Sequence, residues 1–325
     1  MPTQTRAYQA GKIVAEGFPL ADVSEWSARP GVTVWLDLLD PEVGQLTELG
    51  KELDLHTLAI EDAVHERQRP KLDRYDGHLL FNAYSVSLDE GSSLLGTAEI
   101  TAFITPDVLA TVHRGGDFDI ADVVARWDGS RDLAVHGVGF LLYGLLDHIV
   151  DSYFTALQNF DDIVEGLSDE IFELTGKEAN EALRRTFELR RSLLTARRVI
   201  TPMREVVNTL IRRDLGVAGP ELVPYFQDVY DHCLRAAEWT DNLRDLIGTI
   251  RETHLALQGN RMNLIMKKVT SWAAIIAVPT AVTGFYGQNL PYPGFQTTAG
   301  LWTSTGIILG VSALLYVIFR RRDWL

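Results

Sequence analysis

Two stretches without a charged residue dominate the hydrophobic pattern of this 325-residue chain: Val269 to Tyr286 and Leu301 to Phe319. Each is about 18–19 residues, enough to cross a ~30 Å hydrocarbon layer as a helix. Between them Gly287-Gln288-Asn289-Leu290-Pro291-Tyr292-Pro293-Gly294 cannot be helical throughout. The pattern predicts a transmembrane hairpin with a tight outer loop. Lys267 and Lys268 flank the first run, and Arg320, Arg321 and Arg322 close the second. Both basic clusters are expected on the cytoplasmic side, which places the N- and C-termini there and makes the protein multi-pass in the cell (inner) membrane.

Upstream the pattern changes twice. Lys12–Phe18 and Val32–Leu39 read as strands, as do His78–Leu88, Gly96–Ile104 and Val108–His113, with turn chemistry at Asp89-Glu90-Gly91 and Thr105-Pro106-Asp107. Asp40-Pro41-Glu42 reads as a helix start, and Leu46, Leu49 and Leu53 carry the helical period onward. Shorter helices are expected at Leu58–Val64 and Phe118–Trp127. Alternating strands and helices over 1–130 predict an α/β layer domain.

From about Asp132 the period is helical over long stretches. Val138–Leu174, rich in acids, and Asn180–Arg213, rich in arginine and carrying Pro202 as an expected kink, predict an antiparallel helix pair over 131–215. Gly216, Gly219, Pro220 and Pro224 interrupt helicity. After them one helix is expected from about Tyr225 to Tyr286, on the order of 90 Å at 1.5 Å per residue, forming a stalk within 220–286 that ends as the first span (269–286). A loop (287–300), a second span (301–319) and a basic tail (320–325) complete the expected order. Helices this long need partners along their length, so subunit assembly is expected.

The formal net charge of −14 lies almost wholly before the spans. So acidic a body excludes nucleic acid as a partner and suits cations. The single Cys233 excludes an intramolecular disulfide. The first 30 residues hold no continuous apolar core, so no signal peptide is expected and the first span directs insertion. No Gly-rich phosphate loop, Gly-x-Ser-x-Gly or His/Cys/acid cluster with metal-ligand spacing occurs, which argues against an enzyme.

One hairpin makes no water-filled path, but several first spans around an axis do. The inward stripe must be small or polar at helical spacing. Asn263, Met266, Val269 or Thr270, Ala273, Ala277, Thr280 and Gly284 fall near a single stripe that leads to Asn289. No carboxylate lies on the stripe or from Gln288 to Leu301, so an ion would meet amide, hydroxyl and carbonyl oxygens. That chemistry suits Mg²⁺, which keeps its waters, better than a soft metal that wants Cys or His. Met266 at a narrow inner position reads as an apolar gate.

Tyr286-Gly287-Gln288-Asn289 between two C-terminal spans resembles the signature of CorA-type magnesium channels, whose usual tripeptide is Gly-Met-Asn. Pro279-Thr280, the closing Arg320-Arg321-Arg322-Asp323-Trp324-Leu325, Glu61-Asp62 with Gln68-Arg69-Pro70-Lys71, and Tyr225-Phe226-Gln227-Asp228-Val229-Tyr230-Asp231-His232 are similar to that family in the same order. The resemblance implies a funnel-shaped homopentamer in lipid: an N-terminal α/β domain, long helices and a two-helix transmembrane hairpin. It implies a selectivity filter of Gly287, Gln288 and Asn289, polar rings at Thr280 and Asn263, and a constriction at Met266 and Val269. It further implies a regulatory Mg²⁺ site between subunits using Asp89 and Asp228. The chain departs from the family at Gln288 and in its acid-free outer loop. Transport of Mg²⁺ with Co²⁺ or Ni²⁺ is expected; the alternative is a Zn²⁺ transporter of the same fold, coupled to protons.

Overall fold

The computed structural model describes residues 3–65, 68–89, 91–115, 118–130, 132–170, 177–212, 215–288, 291 and 294–325. The chain divides into two compact units, residues 1–250 and 251–325.

The first unit is built on a seven-stranded sheet. Its strands are β1 (Thr3–Gln9), β2 (Lys12–Glu16), β3 (Val32–Leu39), β4 (Lys71–Arg74), β5 (Leu79–Asp89), β6 (Leu94–Ile104) and β7 (Val108–Arg114), in the order β2-β1-β3-β7-β6-β5-β4. Neighbours run antiparallel except β3 and β7, which pair in parallel from Val34↔Val108 to Leu39↔His113. Alternation sends side chains to both faces, and both faces are covered. Val34, Leu36 and Leu38 of β3 bury against α2 (Val43–Glu52) and α3 (Thr57–Val64) through Leu46, Leu49, Ala59 and Ala63, with α1 (Val23–Ser27) alongside. Trp35, one residue out of phase, faces α4 (Ile120–Gly129), α5 (Val138–Glu170) and α6 (Lys177–Ile211).

Trp127 of α4 is the pivot of that second core. Its indole lies edge-on to Trp35 at 5.2 Å, and its Nε1 donates to the Leu141 carbonyl of α5 at 3.1 Å. Tyr153 of α5 donates to the Tyr84 carbonyl of β5 at 2.9 Å and fixes the helix on the sheet. The early part of α7 (Val223–Tyr286) joins the same core through Phe226, Val229, Cys233, Leu243 and Ile247.

Several expected elements shift. The helix start moves from Asp40 to Glu42: Asp40 takes a positive φ of 46°, and Glu42 and Gln45 form a capping box. Pro224, expected as a breaker, falls in the first turn of α7, where a missing N–H costs nothing. Helix α6 runs on through Pro202. Strands β1 and β4 were not expected.

The second unit holds the rest of α7 and α8 (Thr298–Arg321). Both helices are long and apolar enough to cross a membrane, and only 6 % and 0 % of their apolar windows are buried, unlike a core helix of a soluble protein. Met266, Val269, Trp272, Ile276, Phe285, Leu301, Trp302 and Leu309 are all more than half exposed. So large an apolar surface marks a membrane or subunit contact.

Candidate functional site

Helix α7 carries every expected pore-lining residue: Asn263, Met266, Val269, Ala273, Ala277, Thr280 and Gly284. At 3.6 residues per turn they fall within an arc of about 120°. All seven are exposed. The residues of 269–286 that are not exposed, Ser271, Ala274, Ile275, Val278, Pro279, Val282 and Tyr286, gather on the other side of the helix. The span is therefore two-sided, with the expected stripe on its open face.

Two hydroxyls on this segment are already oriented by backbone. Thr280 Oγ1 donates to the Ile276 carbonyl at 3.2 Å, and Thr283 Oγ1 donates to the Pro279 carbonyl at 2.7 Å. Each uses its hydrogen inside the helix and keeps its oxygen lone pairs for an outside donor. The Thr283 bond also braces the helix beside Pro279, which lacks the N–H that would bond Ile275. At the helix end the Gly287 N–H donates to the Thr283 carbonyl at 2.8 Å, and a Cβ on Gly287 would meet that same oxygen at 2.8 Å. The position tolerates glycine because backbone comes so close. Gln288 follows, exposed, its N–H on the Phe285 carbonyl at 3.3 Å. Asn289 lies outside the described residues.

The two expected regulatory carboxylates differ. Asp89 closes the β5–β6 hairpin. Its carboxylate accepts from the Ser92 hydroxyl and from the N–H groups of Gly91 (3.2 Å) and Ser92 (3.3 Å). The Ser92 bond first, then the Gly91 N–H, hold its carboxyl below the usual carboxylate range. Asp228, in the second turn of α7, is exposed and stands 3.8 Å from His232 one turn on. No bond joins the two acids. Among the described residues no group of three or more His, Cys, Asp or Glu is placed to hold a metal ion. Neither acid is joined there by two further protein ligands.

Asp228 stands in acidic company that the sequence does not reveal. Arg126 of α4 donates to Asp147 at 2.8 Å and to Asp151 at 2.6 Å, both on α5. Burial, then Asp151, raises the Asp147 carboxyl above its ordinary value despite that guanidinium. Tyr143, one turn before Asp147, is pushed up to about 12 by burial and then by Asp147 and Asp228. The i, i+4 spacing of Asp147 and Asp151 was legible; that Tyr143 feels both Asp147 and Asp228, from two helices, was not.

The comparisons with known proteins bear on the family and the fold. The family model described as "CorA-like Mg2+ transporter protein" matches residues 31–321. The chain is 29 % identical over 280 residues to the cobalt/magnesium transport protein CorA of Thermotoga maritima, covering 85 % of this chain and 79 % of that one. It is 29 % identical over 291 residues to the putative metal ion transporter YfjQ of Bacillus subtilis, covering 89 % of each. The complete structure of the CorA magnesium transporter from Methanocaldococcus jannaschii superposes with a TM-score of 0.81 at 23 % identity, over 100 % of this chain and 99 % of that one. A matched sequence pattern, a shared fold and two apolar C-terminal helices converge: the chain belongs to the CorA-like Mg²⁺ transporter family, a membrane transporter of divalent cations and not an enzyme.

Proposed function

We propose that this protein is a homopentameric channel for Mg²⁺ uptake that also admits Co²⁺ or Ni²⁺, driven by the membrane potential. The observation that carries the reading is the two-sided span of α7, with five small or polar residues and the apolar Met266 and Val269 open on one face and the shielded residues of 269–286 on the other. Five such faces around an axis make a path with no carboxylate in it. An entering ion meets the amides of Gln288 and Asn289, then the free lone pairs of Thr280, then the apolar Met266 and Val269. Neutral oxygens hydrogen-bond the waters of Mg²⁺ without stripping them, which fits an ion that dehydrates reluctantly. The same chemistry disfavours Zn²⁺ with proton coupling, because residues 269–286 offer neither a nitrogen or sulfur ligand nor an ionisable relay.

Closure belongs to the acidic residues of the first unit. When internal Mg²⁺ is high it bridges subunits through Asp228, with Asp89 contributed across the interface, and offsets like-charge repulsion. When it is low the carboxylates repel, the subunits shift, and the constriction at Met266 and Val269 widens and wets. Flux into protein-loaded liposomes tests the reading. Asn289→Ala should abolish Mg²⁺ uptake while the pentamer survives on native gels and light scattering. Unchanged uptake, or uptake that rises with an inward pH gradient, would refute it.

A further inference from the structure

Sulfur gives a dissolved oxidant few targets in this chain, which carries four methionines and one cysteine. Met203 is fully buried in the second core of the sheet. Cys233 is fully buried in the same core, and burial pushes its thiol up to about 12, so it stays a thiol at neutral pH. Oxidants attack the exposed thiolate, and this cysteine offers neither exposure nor charge. Met262 and Met266 differ. Each is 59 % exposed, and they stand one turn apart on α7. Among the described residues they are the two sulfurs open to solvent.

Packing does not call for methionine at position 266. Leucine is as good a helix former, and a constriction that closes by being dry wants only apolar bulk. What the thioether adds is a second chemical state, polar and oxygen-bearing. Met266 lies on the open stripe with Asn263 and Val269, directly before Lys267 and Lys268. That is the basic end of the span, remote along α7 from Gln288.

We propose that Met266 is a sulfoxidation site and that its oxidation by a peroxide holds the constriction wet. The proposal rests on the gate assigned above and adds the regulation of that gate. The sulfur lone pair attacks one oxygen of the peroxide. The S–O bond forms as the O–O bond breaks. The proton of the transferred oxygen passes to the departing hydroxide, which leaves as water. The sulfur gives up two electrons and the peroxide takes them. The new oxygen accepts hydrogen bonds, so a ring of such groups keeps water in the constriction. It also offers the waters of a passing Mg²⁺ a neutral acceptor like those of Thr280 and Gln288. A dithiol working through methionine sulfoxide reductases removes the oxygen as water, is itself oxidised to a disulfide, and restores the dry thioether.

The test uses the full chain in liposomes held at high internal Mg²⁺. Hydrogen peroxide is applied at a dose that leaves Met203 unmodified by peptide mass spectrometry, which shows that the core stays closed. Met266 should gain one oxygen, and the Mg²⁺ leak should rise severalfold. Both epimer-specific methionine sulfoxide reductases with dithiothreitol should reverse the two changes together. Treated and untreated leaks should be equal in Met266→Leu, whereas Met262→Leu should keep the peroxide-induced rise. An unmodified Met266 at that dose, a leak unmoved by its oxidation, or a rise that persists in Met266→Leu would overturn the proposal. The gate is judged apart from its regulation: if Met266→Ser raises the leak and the sulfoxide does not, the gate stands and the sulfoxidation switch falls.

Discussion

Glycine at position 144 lets α5 reach the second core. A Cβ there would stand 2.4 Å from Nε1 and 2.7 Å from Cδ1 of Trp127, distances no Cβ sustains against a non-bonded atom. The ring cannot swing away, because Trp127 is 2 % exposed and lies edge-on to Trp35. Gly144→Ala therefore forces either the indole or α5 to move. Overpacking a filled core costs about 1–3 kcal/mol. Displacing the indole also breaks its bond to the Leu141 carbonyl and leaves a buried donor unpaired, about 1–3 kcal/mol more. Together the loss is roughly 2–6 kcal/mol. The matched control is Gly166→Ala in the same helix, where nothing stands within 4 Å of the added Cβ. There the only effect is helix propensity, about 0.5–1 kcal/mol in favour of alanine. Urea unfolding of the detergent-solubilised chain, followed by tryptophan fluorescence, should move the two midpoints in opposite directions. A Gly144→Ala midpoint equal to or above that of Gly166→Ala would show that α5 does not approach Trp127 this closely.

Other expectations concern transport and pH. Met266→Ser should raise the leak of Mg²⁺ into liposomes at high internal Mg²⁺ severalfold, because a hydroxyl wets a constriction that closes by being dry; an unchanged closed-state leak would remove Met266 from the gate. Asp228→Lys should abolish inhibition by internal Mg²⁺ without abolishing flux, and retained inhibition would place the sensor elsewhere. Burial holds the His78 and His148 rings below the usual histidine value, so folding favours their neutral forms. Their contribution is present above about pH 6.5 and is lost as pH falls through the lower folded values. Urea midpoints should thus drop below pH 6.5, and His148→Gln should flatten part of that slope; a wild-type midpoint that rises on acidification would contradict the burial of these rings.

Legibility followed the range of the interaction. Strand β3 was readable to the residue because Val-Thr-Val-Trp-Leu-Asp-Leu-Leu is β-rich and bounded by a turn. Strand β1 was not, because Thr-Gln-Thr-Arg-Ala-Tyr-Gln is polar at most positions and owes its strand to pairing with β2 on one side and β3 on the other. Strand β4 is four residues, three of them charged, and pairs only with β5. Helix α2 starts two residues late because Asp40 is spent elsewhere, accepting from the Gly115 N–H at 3.2 Å. The stripe on α7 was legible because a helix is its own ruler. The Asp37–His113 contact spans 76 residues, and Arg126 finds Asp147 and Asp151 only through the packing of α4 on α5. Nothing local announces either.

The two carboxylates offered as a sensor are not equivalent, and the difference bears on which one sets the threshold. Asp89 already holds three local donors in its turn, so an arriving ion competes with bonds the acid has made. Asp228 has one distant histidine, and the Tyr143 hydroxyl feels both it and Asp147, which Arg126 ties to Asp151 on α5. Burial first, and then Asp151, raises the Asp147 carboxyl, so those two carboxylates feel one another at the half-buried surface, where screening by water is incomplete. Neutralising Asp147 or Asp151 to asparagine should therefore weaken Mg²⁺ inhibition at Asp228, whereas Ser92→Ala, which frees Asp89 from its strongest local bond, should strengthen it. If internal-Mg²⁺ dose–response curves gave the same shift for both, charge alone would govern closure, and the local bonds of Asp89 would have no part in setting the threshold.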